Sequence, residues 1–214
     1  MKTILCFGDS NTWGYDPATS SRLPHEKRWP TLLASRLGSG YLVIPEGLNG
    51  RTTVWDDPVE LDKKGSAHLP SLLESHKPID LVIIMLGTND LKLRFGLGPL
   101  DIASGAQRLA RITLASATGP ADKAPALLLV CPPPIFEVGP FAEMFAGGAE
   151  KSARLAGHFR AKAAELGIPL LNAGDFVQSS PLDGIHFSAD GQKVLGEAIA
   201  DWVSHNEARE GRHP

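Results

Sequence analysis

Cysteine is scarce in these 214 residues: Cys6 and Cys131 are the two present, each lies in an apolar run, and neither belongs to a CxxC pair. That spacing excludes a CxxC metal or redox site, and both thiols read as small buried hydrophobes. No apolar run approaches the roughly 20 residues of a membrane span. Met1-Lys2-Thr3 precedes only about five apolar residues before Gly8-Asp9, too few for the apolar region of a secretory signal. The chain is therefore expected to be cytoplasmic, with no membrane partner. Basic blocks are missing too, and the formal net charge of -3 gives no reason to expect nucleic acid as a partner. There is no linker, repeat or low-complexity segment. One domain is expected over residues 1–205, followed by a polar tail, 206–214, expected to fray.

What the chain does have is 43% hydrophobic residues, enough for one core, arranged in alternation. Short apolar runs recur at Thr3–Phe7, Tyr41–Ile44, Leu81–Leu86, Ala126–Val130 and Pro169–Leu171. They are continuous, the pattern of parallel strands covered on both faces. Helical segments separate them. One opens at Trp29-Pro30 and stops at Gly38; others cover Leu69–Ser75, Leu100–Ala115, Ala149–Leu166 and Gly191–Val203. The order βαβαβαβαβα predicts an α/β fold, an open parallel sheet with helices on both faces. Ligands of such sheets bind beyond the carboxyl ends of the strands, here Gly8–Gly14, Glu46–Trp55, Gly87–Arg94, Pro132–Phe145 and Gly174–Phe187.

Four of these segments carry pointed chemistry. Asp183 stands three residues before His186, so one turn of chain lets it accept from Nδ1 and leave Nε2 as a general base. Ser10 follows a strand end at Gly8, where a hydroxyl can be exposed and become a nucleophile if a base takes its proton. Gly50 lacks a Cβ, so its N–H can approach a ligand closely. Asn89 carries an amide donor on the loop after the most apolar run. Each has a plainer reading alone: a turn at Ser10, a turn at Gly50, a loop-capping Asn, an Asp-His turn opening a helix. Together they supply a nucleophile, a base, an orienting acid and oxyanion donors on one rim of one sheet.

Gly8-Asp9-Ser10, Gly50, Gly87-Thr88-Asn89-Asp90 and Asp183-Gly184-Ile185-His186, in that order, resemble the four blocks of the SGNH (GDSL) hydrolases. The stretches LCFGDSNTWG, EGLNGRTT, LVIIMLGTND and DGIHF are similar to its oligomeric arylesterase/acyltransferase subgroup. The resemblance implies a three-layer α/β/α sandwich around a five-stranded, flavodoxin-like parallel sheet, with no metal and no cofactor. It implies Ser10 as nucleophile, His186 as base and Asp183 as its orienter, with an oxyanion hole made by the Ser10 N–H, the Gly50 N–H and the Asn89 amide. Two positions depart from the pattern. Asn11 stands where the family motif has Leu, and Cys131 opens a Cys-Pro-Pro-Pro run where the subgroup has Ser.

The function expected is a serine esterase for small, short-chain esters, acetyl-type above all, working through an acyl-serine that water or an alcohol releases. Alternatives within the same fold are a carbohydrate acetyl esterase and a thioesterase or lysophospholipase, because the fold and triad do not fix the substrate. A flavodoxin-like binding module is the remote alternative. Its phosphate would meet Asp9, and the chain lacks a G-x-G-x-x-G pattern. Trp13, Tyr15, Phe136 and Phe145 are expected to line the substrate pocket. The long segment Pro132–Phe145 has two readings: a loop folded back on its own core, or an apolar patch that marks an interface. The subgroup resemblance implies a closed homo-oligomer, up to an octamer, whose neighbours narrow the entrance.

Overall fold

Residues along each central strand point alternately into two separate cores, the consequence of a period-2 side-chain repeat in a sheet covered on both faces. Leu5, Phe7, Val82 and Ile84 face one core, together with Leu69, Leu73, Ile102, Leu109 and Phe159. Ile4, Cys6, Ile83 and Met85 face the other, together with Trp29, Leu33, Leu195 and Ile199. Each fully buried Leu, Ile or Phe stabilises the fold by roughly 1.5–3 kcal/mol before entropy is subtracted.

The computed structural model describes residues 1–210. In chain order the elements are β1 (Lys2–Gly8), α1 (Ser10–Trp13), β2 (Tyr15–Asp16), β3 (Ser21–Arg22), α2 (Trp29–Leu37), β4 (Tyr41–Gly47), α3 (Gly65–His76), β5 (Leu81–Met85), α4 (Pro99–Leu114), β6 (Ala126–Cys131), α5 (Gly148–Ala153), α6 (Leu155–Leu166), β7 (Leu170–Asn172) and α7 (Ala189–Glu210). The main sheet has five strands in the order β4-β1-β5-β6-β7, all pairs parallel. Helices α3, α4 and α6 cover one face and α2 and α7 the other, giving three layers. The order reverses at β1, so the crevice beyond the carboxyl ends of β1, β4 and β5 is where this topology places a ligand.

Several boundaries differ from the sequence expectation. The Ala149–Leu166 segment is two helices, not one, with a break at Arg154. Ser152 is the physical cause in reach: its hydroxyl bonds back to Ala149 O at 2.8 Å and accepts from Ile135 N at 3.0 Å, drawing the helix start onto the preceding loop. α7 continues past Val203 to Glu210, since the first breaker after Val203 is Gly211. The rest of the expected tail, residues 211–214, lies outside the described residues. A two-stranded ribbon, β2 with β3, follows the Ser10 turn and was too short to read from apolar pattern. Among the described residues, no helix is long and apolar enough to cross a membrane.

Candidate active site

Strand β1 stops at Gly8 because the next turn packs directly on it. A Cβ at Gly8 would lie 2.0 Å from Thr12 Oγ1 and 3.0 Å from Met85 O. Asp9 then caps α1, its carboxylate accepting from Asn11 N at 2.9 Å. Ser10 is thus the first residue of a helical turn, and its N–H has no intrahelical partner. Burial pushes the Asp9 carboxyl up to about 6, against the pull of the Asn11 N–H and of the His186 and Arg51 charges.

The second side of the site is the loop between β7 and α7. Asp183 Oδ1 accepts from the backbone N–H groups of Ile185 and His186, each at 3.0 Å. Its Oδ2 lies 2.7 Å from His186 Nδ1. With Nδ1–H donating there, Nε2 is left to accept, and it lies 2.9 Å from Ser10 Oγ. All three residues are buried, yet Ser10 and His186 both border a cleft. Burial would raise the Asp183 carboxyl, but the bonds from the His186 ring and from the two backbone N–H groups outweigh it and hold it below its ordinary value.

The third side is built from the loops after β4 and β5. Gly50 adopts φ +81°, and a Cβ there would sit 2.5 Å from Glu60 Oε2, so only glycine fits without displacing that carboxylate. Asn89 Nδ2 donates one hydrogen to Arg51 O at 3.1 Å, which fixes the amide and leaves its second hydrogen for the cleft. Arg51 itself is 4% exposed, lies 4.2 Å from the Phe7 ring and donates to the Gly8 and Glu46 carbonyls, tying the β1 and β4 ends together. Desolvation lowers its guanidinium to about 10. Asp90 straps the same loops by accepting from Thr53 N at 3.1 and 3.0 Å and from the Thr53 hydroxyl. Burial pushes its carboxyl up to about 7.

Ser10, Gly50, Asn89 and His186, four of the five expected triad and oxyanion residues, line one cleft, and Asp183 stands behind His186. The cleft encloses about 510 Å³ counted out to open solvent. Of the four expected pocket residues, Tyr15 and Phe145 line it; Trp13 and Phe136 do not. The β2–β3 ribbon returns Arg22 over the Trp13 ring, 4.6 Å from its centroid, and holds the indole away from the cleft. Phe136 N donates to Gly184 O at 2.8 Å, and its side chain is 42% exposed outside the cleft. Phe141, Met144 and Ile185 take the apolar places instead. Phe141 and Tyr15 both pack on the His186 ring, at centroid distances of 5.7 and 4.0 Å.

The long segment after β6 is folded back onto the core in part. Ile135 and Phe145 are buried in the core with Phe141 and Met144 packed against it, whereas Phe136 and Val138 stay exposed. Cys131 is fully buried at the end of β6 and is not among the residues of the cleft. Burial raises its thiol far above the usual range.

One wall escaped the sequence reading. Lys92, 2% exposed, holds Asp57 at 3.2 Å and Glu60 at 2.6 Å, and Arg94 holds Asp57 at 2.9 Å. Lys92 and Glu60 border the cleft beside Gly50. The available signal was the acid-rich stretch Asp56-Asp57-Pro58-Val59-Glu60 facing a lysine just after the Gly87-Thr88-Asn89-Asp90 block.

The GDSL-like lipase/acylhydrolase family model matches residues 6–194. A solved carbohydrate acetylesterase from Sinorhizobium meliloti is 46% identical, with 96% of this chain and 99% of that one covered and a TM-score of 0.91. The native aryl esterase of M. smegmatis is 43% identical over 96% and 99%, with a TM-score of 0.91. A carbohydrate acetylesterase family member from Sinorhizobium meliloti is 41% identical over 95% and 97%, with a TM-score of 0.90. Among curated proteins there is no match. The chain belongs to the GDSL-like lipase/acylhydrolase family and is a carboxylic ester hydrolase.

Proposed function

We propose that the protein is a serine esterase that cleaves short-chain esters, acetates above all, through an acyl-Ser10 intermediate. The observation that carries this reading is the unbroken hydrogen-bonded line from Ser10 Oγ to His186 Nε2 and from His186 Nδ1 to Asp183 Oδ2, at 2.9 and 2.7 Å. In the reading, Ser10 Oγ attacks the ester carbonyl while His186 Nε2 takes its proton. The oxyanion is held by the Ser10 N–H, the Gly50 N–H and the free Asn89 hydrogen. The C–O bond to the alcohol then breaks, and the alcohol leaves with the proton from His186. Water, or a second alcohol, repeats the steps on the acyl-serine and restores the hydroxyl. Asp183 stays ionised and steadies the imidazolium.

A serine-reactive phosphonate should label Ser10 stoichiometrically in the native protein and leave Ser10→Ala unlabelled. Labelling of Ser10→Ala at the native rate would remove Ser10 as nucleophile. Rates on p-nitrophenyl esters from acetate to octanoate test the acyl preference, which rests on the apolar stop formed by Phe141, Met144 and Phe145.

The cleft also favours a polar leaving group, the carbohydrate acetyl ester reading, over a plain aryl one. Lys92 anchors Glu60 Oε1, and Oε2 lies over Gly50, where it can accept from a hydroxyl of the alcohol. Two solved relatives are named carbohydrate acetylesterases, which fits. Glu60→Gln should lower kcat/KM for acetylated sugars more than for phenyl acetate; equal losses on both would disfavour the sugar reading.

The same proposal includes a homo-oligomer, as large as an octamer, and acyl transfer to added alcohols in competition with water. Exposed Phe136, Val138 and Leu182 lie together beside the His186 loop, a patch suited to burial against a neighbouring copy.

A further inference from the structure

We propose that Asn11 is a positioning residue that holds His186 against Ser10, an inference that rests on the proposed Ser10–His186 pair. Asn11 is 1% exposed. Its Nδ2 donates to Ile185 O at 3.3 Å, and its Oδ1 accepts from Phe187 N at 3.0 Å. One amide therefore grips the backbone on both sides of His186, from the residue adjacent to Ser10. Among the described residues, these two bonds and the Ser10–His186 contact are the hydrogen bonds that join the Ser10 turn to the His186 loop.

The need for such a grip follows from topology. Ser10 is set by the end of β1, an interior strand paired on both sides by β4 and β5. His186 sits on a loop that starts after the edge strand β7 and has no strand register of its own. The bonds that His186 donates to Asp183, and the one from Ser180 N to His186 O, orient the ring within its loop and say nothing about its distance from Ser10. Asn11 supplies that distance. Its own backbone is anchored in turn: Asn11 N donates to Asp9 Oδ1 at 2.9 Å, and Asn11 O accepts from Gln192 Nε2 at 2.9 Å. Gln192, fully buried, accepts from Trp29 N at 2.9 Å, so the first turns of α1, α2 and α7 meet at one network. A leucine, the residue of the family motif at this position, can make neither side-chain bond; it would leave the buried Phe187 N–H unpaired and Ile185 O with the Ser179 hydroxyl at 3.4 Å.

A misplacement of about 1 Å in a reacting pair costs on the order of 100-fold. Asn11→Leu and Asn11→Ser should therefore lower kcat for p-nitrophenyl acetate by about 10- to 100-fold with KM within about twofold, in protein shown to be folded by its melting curve. The discriminating measurement is a cycle with His186→Ala. Once the imidazole is gone, Asn11→Ser should change the residual rate by less than about twofold, because it acts only through His186. Equal losses in both backgrounds, or a folded variant with unchanged kcat, overturn the proposal. If Asn11→Leu fails to fold, Asn11→Ser decides; failure of both to fold overturns it in favour of a purely structural role. Ser10→Ala in the same assay separates the two readings. Retained activity there removes the Ser10–His186 pair itself, whereas a dead Ser10→Ala beside a fully active Asn11→Ser removes only Asn11.

Discussion

The Tyr15 ring lies against the face of His186, with centroids 4.0 Å apart and planes 30° from parallel. Phe141 meets the same imidazole edge-on at 5.7 Å. The imidazole is thus packed by two aromatic rings as well as held by Asp183. Aromatic contacts of this kind contribute about 0.5–1.5 kcal/mol each. Tyr15→Phe, which keeps the ring, should retain near-native kcat/KM on p-nitrophenyl acetate. Tyr15→Ala should lose up to about tenfold, the rate equivalent of that contact. A Tyr15→Phe as impaired as Tyr15→Ala would mean that the hydroxyl, not the ring, is what matters.

Ser10→Ala should abolish turnover with no loss of melting temperature. The hydroxyl borders the cleft, and among the described residues its one side-chain hydrogen-bond partner is His186. Loss of a triad member typically costs about 10⁴-fold or more in kcat. Parallel initial-rate and calorimetric measurements check both halves of the expectation.

Asn89→Ala should lower kcat by roughly 10²–10³ with a smaller change in KM, because an oxyanion exists only near the transition state. The amide is oriented in advance by Arg51 O. An effect confined to KM would make Asn89 a substrate-binding residue only.

Stability should respond to pH through Asp90. Its folded-state value, about 7, lies above the ordinary 3.8 because of burial, so the folded chain keeps this proton longer than the unfolded chain does. Stability from this group is full in acid and declines as pH rises from about 4 to about 7. Asp9, raised to about 6, adds in the same direction. Asp183 and Asp57 are shifted the other way, and their contributions fade only in stronger acid. Asp90→Asn removes one titration, so its melting temperature relative to wild type should rise between pH 5 and pH 8. A difference that stays constant with pH would contradict the raised Asp90.

The exposed rim should control assembly. Phe136→Asp combined with Val138→Asp charges two side chains that are 42% and 40% exposed and lie outside the cleft. Smaller species should appear in light scattering, and longer acyl chains should be accepted as the entrance widens. Phe145 is unsuitable for this test because it is 3% exposed and belongs to the core. A monomeric wild type, or a native preference for octanoate over acetate, would end the oligomer reading without touching Ser10.

The chain order of apolar runs was enough to give the parallel sheet and its crevice, because a strand buried on both faces must be continuously apolar and each crossover needs a helix. The blocks around Ser10, Gly50 and Asp183–His186 were legible for a related reason: their geometry is made locally, by a strand end, a positive φ or an Asx turn three residues long, whereas the Asn89 amide is oriented by Arg51 O, 38 residues away. What the tertiary structure alone decided are the contacts between loops far apart in the chain. Trp13 left the cleft because a short ribbon carried Arg22 onto it, and Phe141 entered because its loop folded against Tyr15 and His186. Lys92 found Asp57 across 35 residues, and Asn11 found Ile185 across 174. No periodicity encodes such meetings. They are chosen by which buried polar groups must be paired once the sheet has brought the loops together.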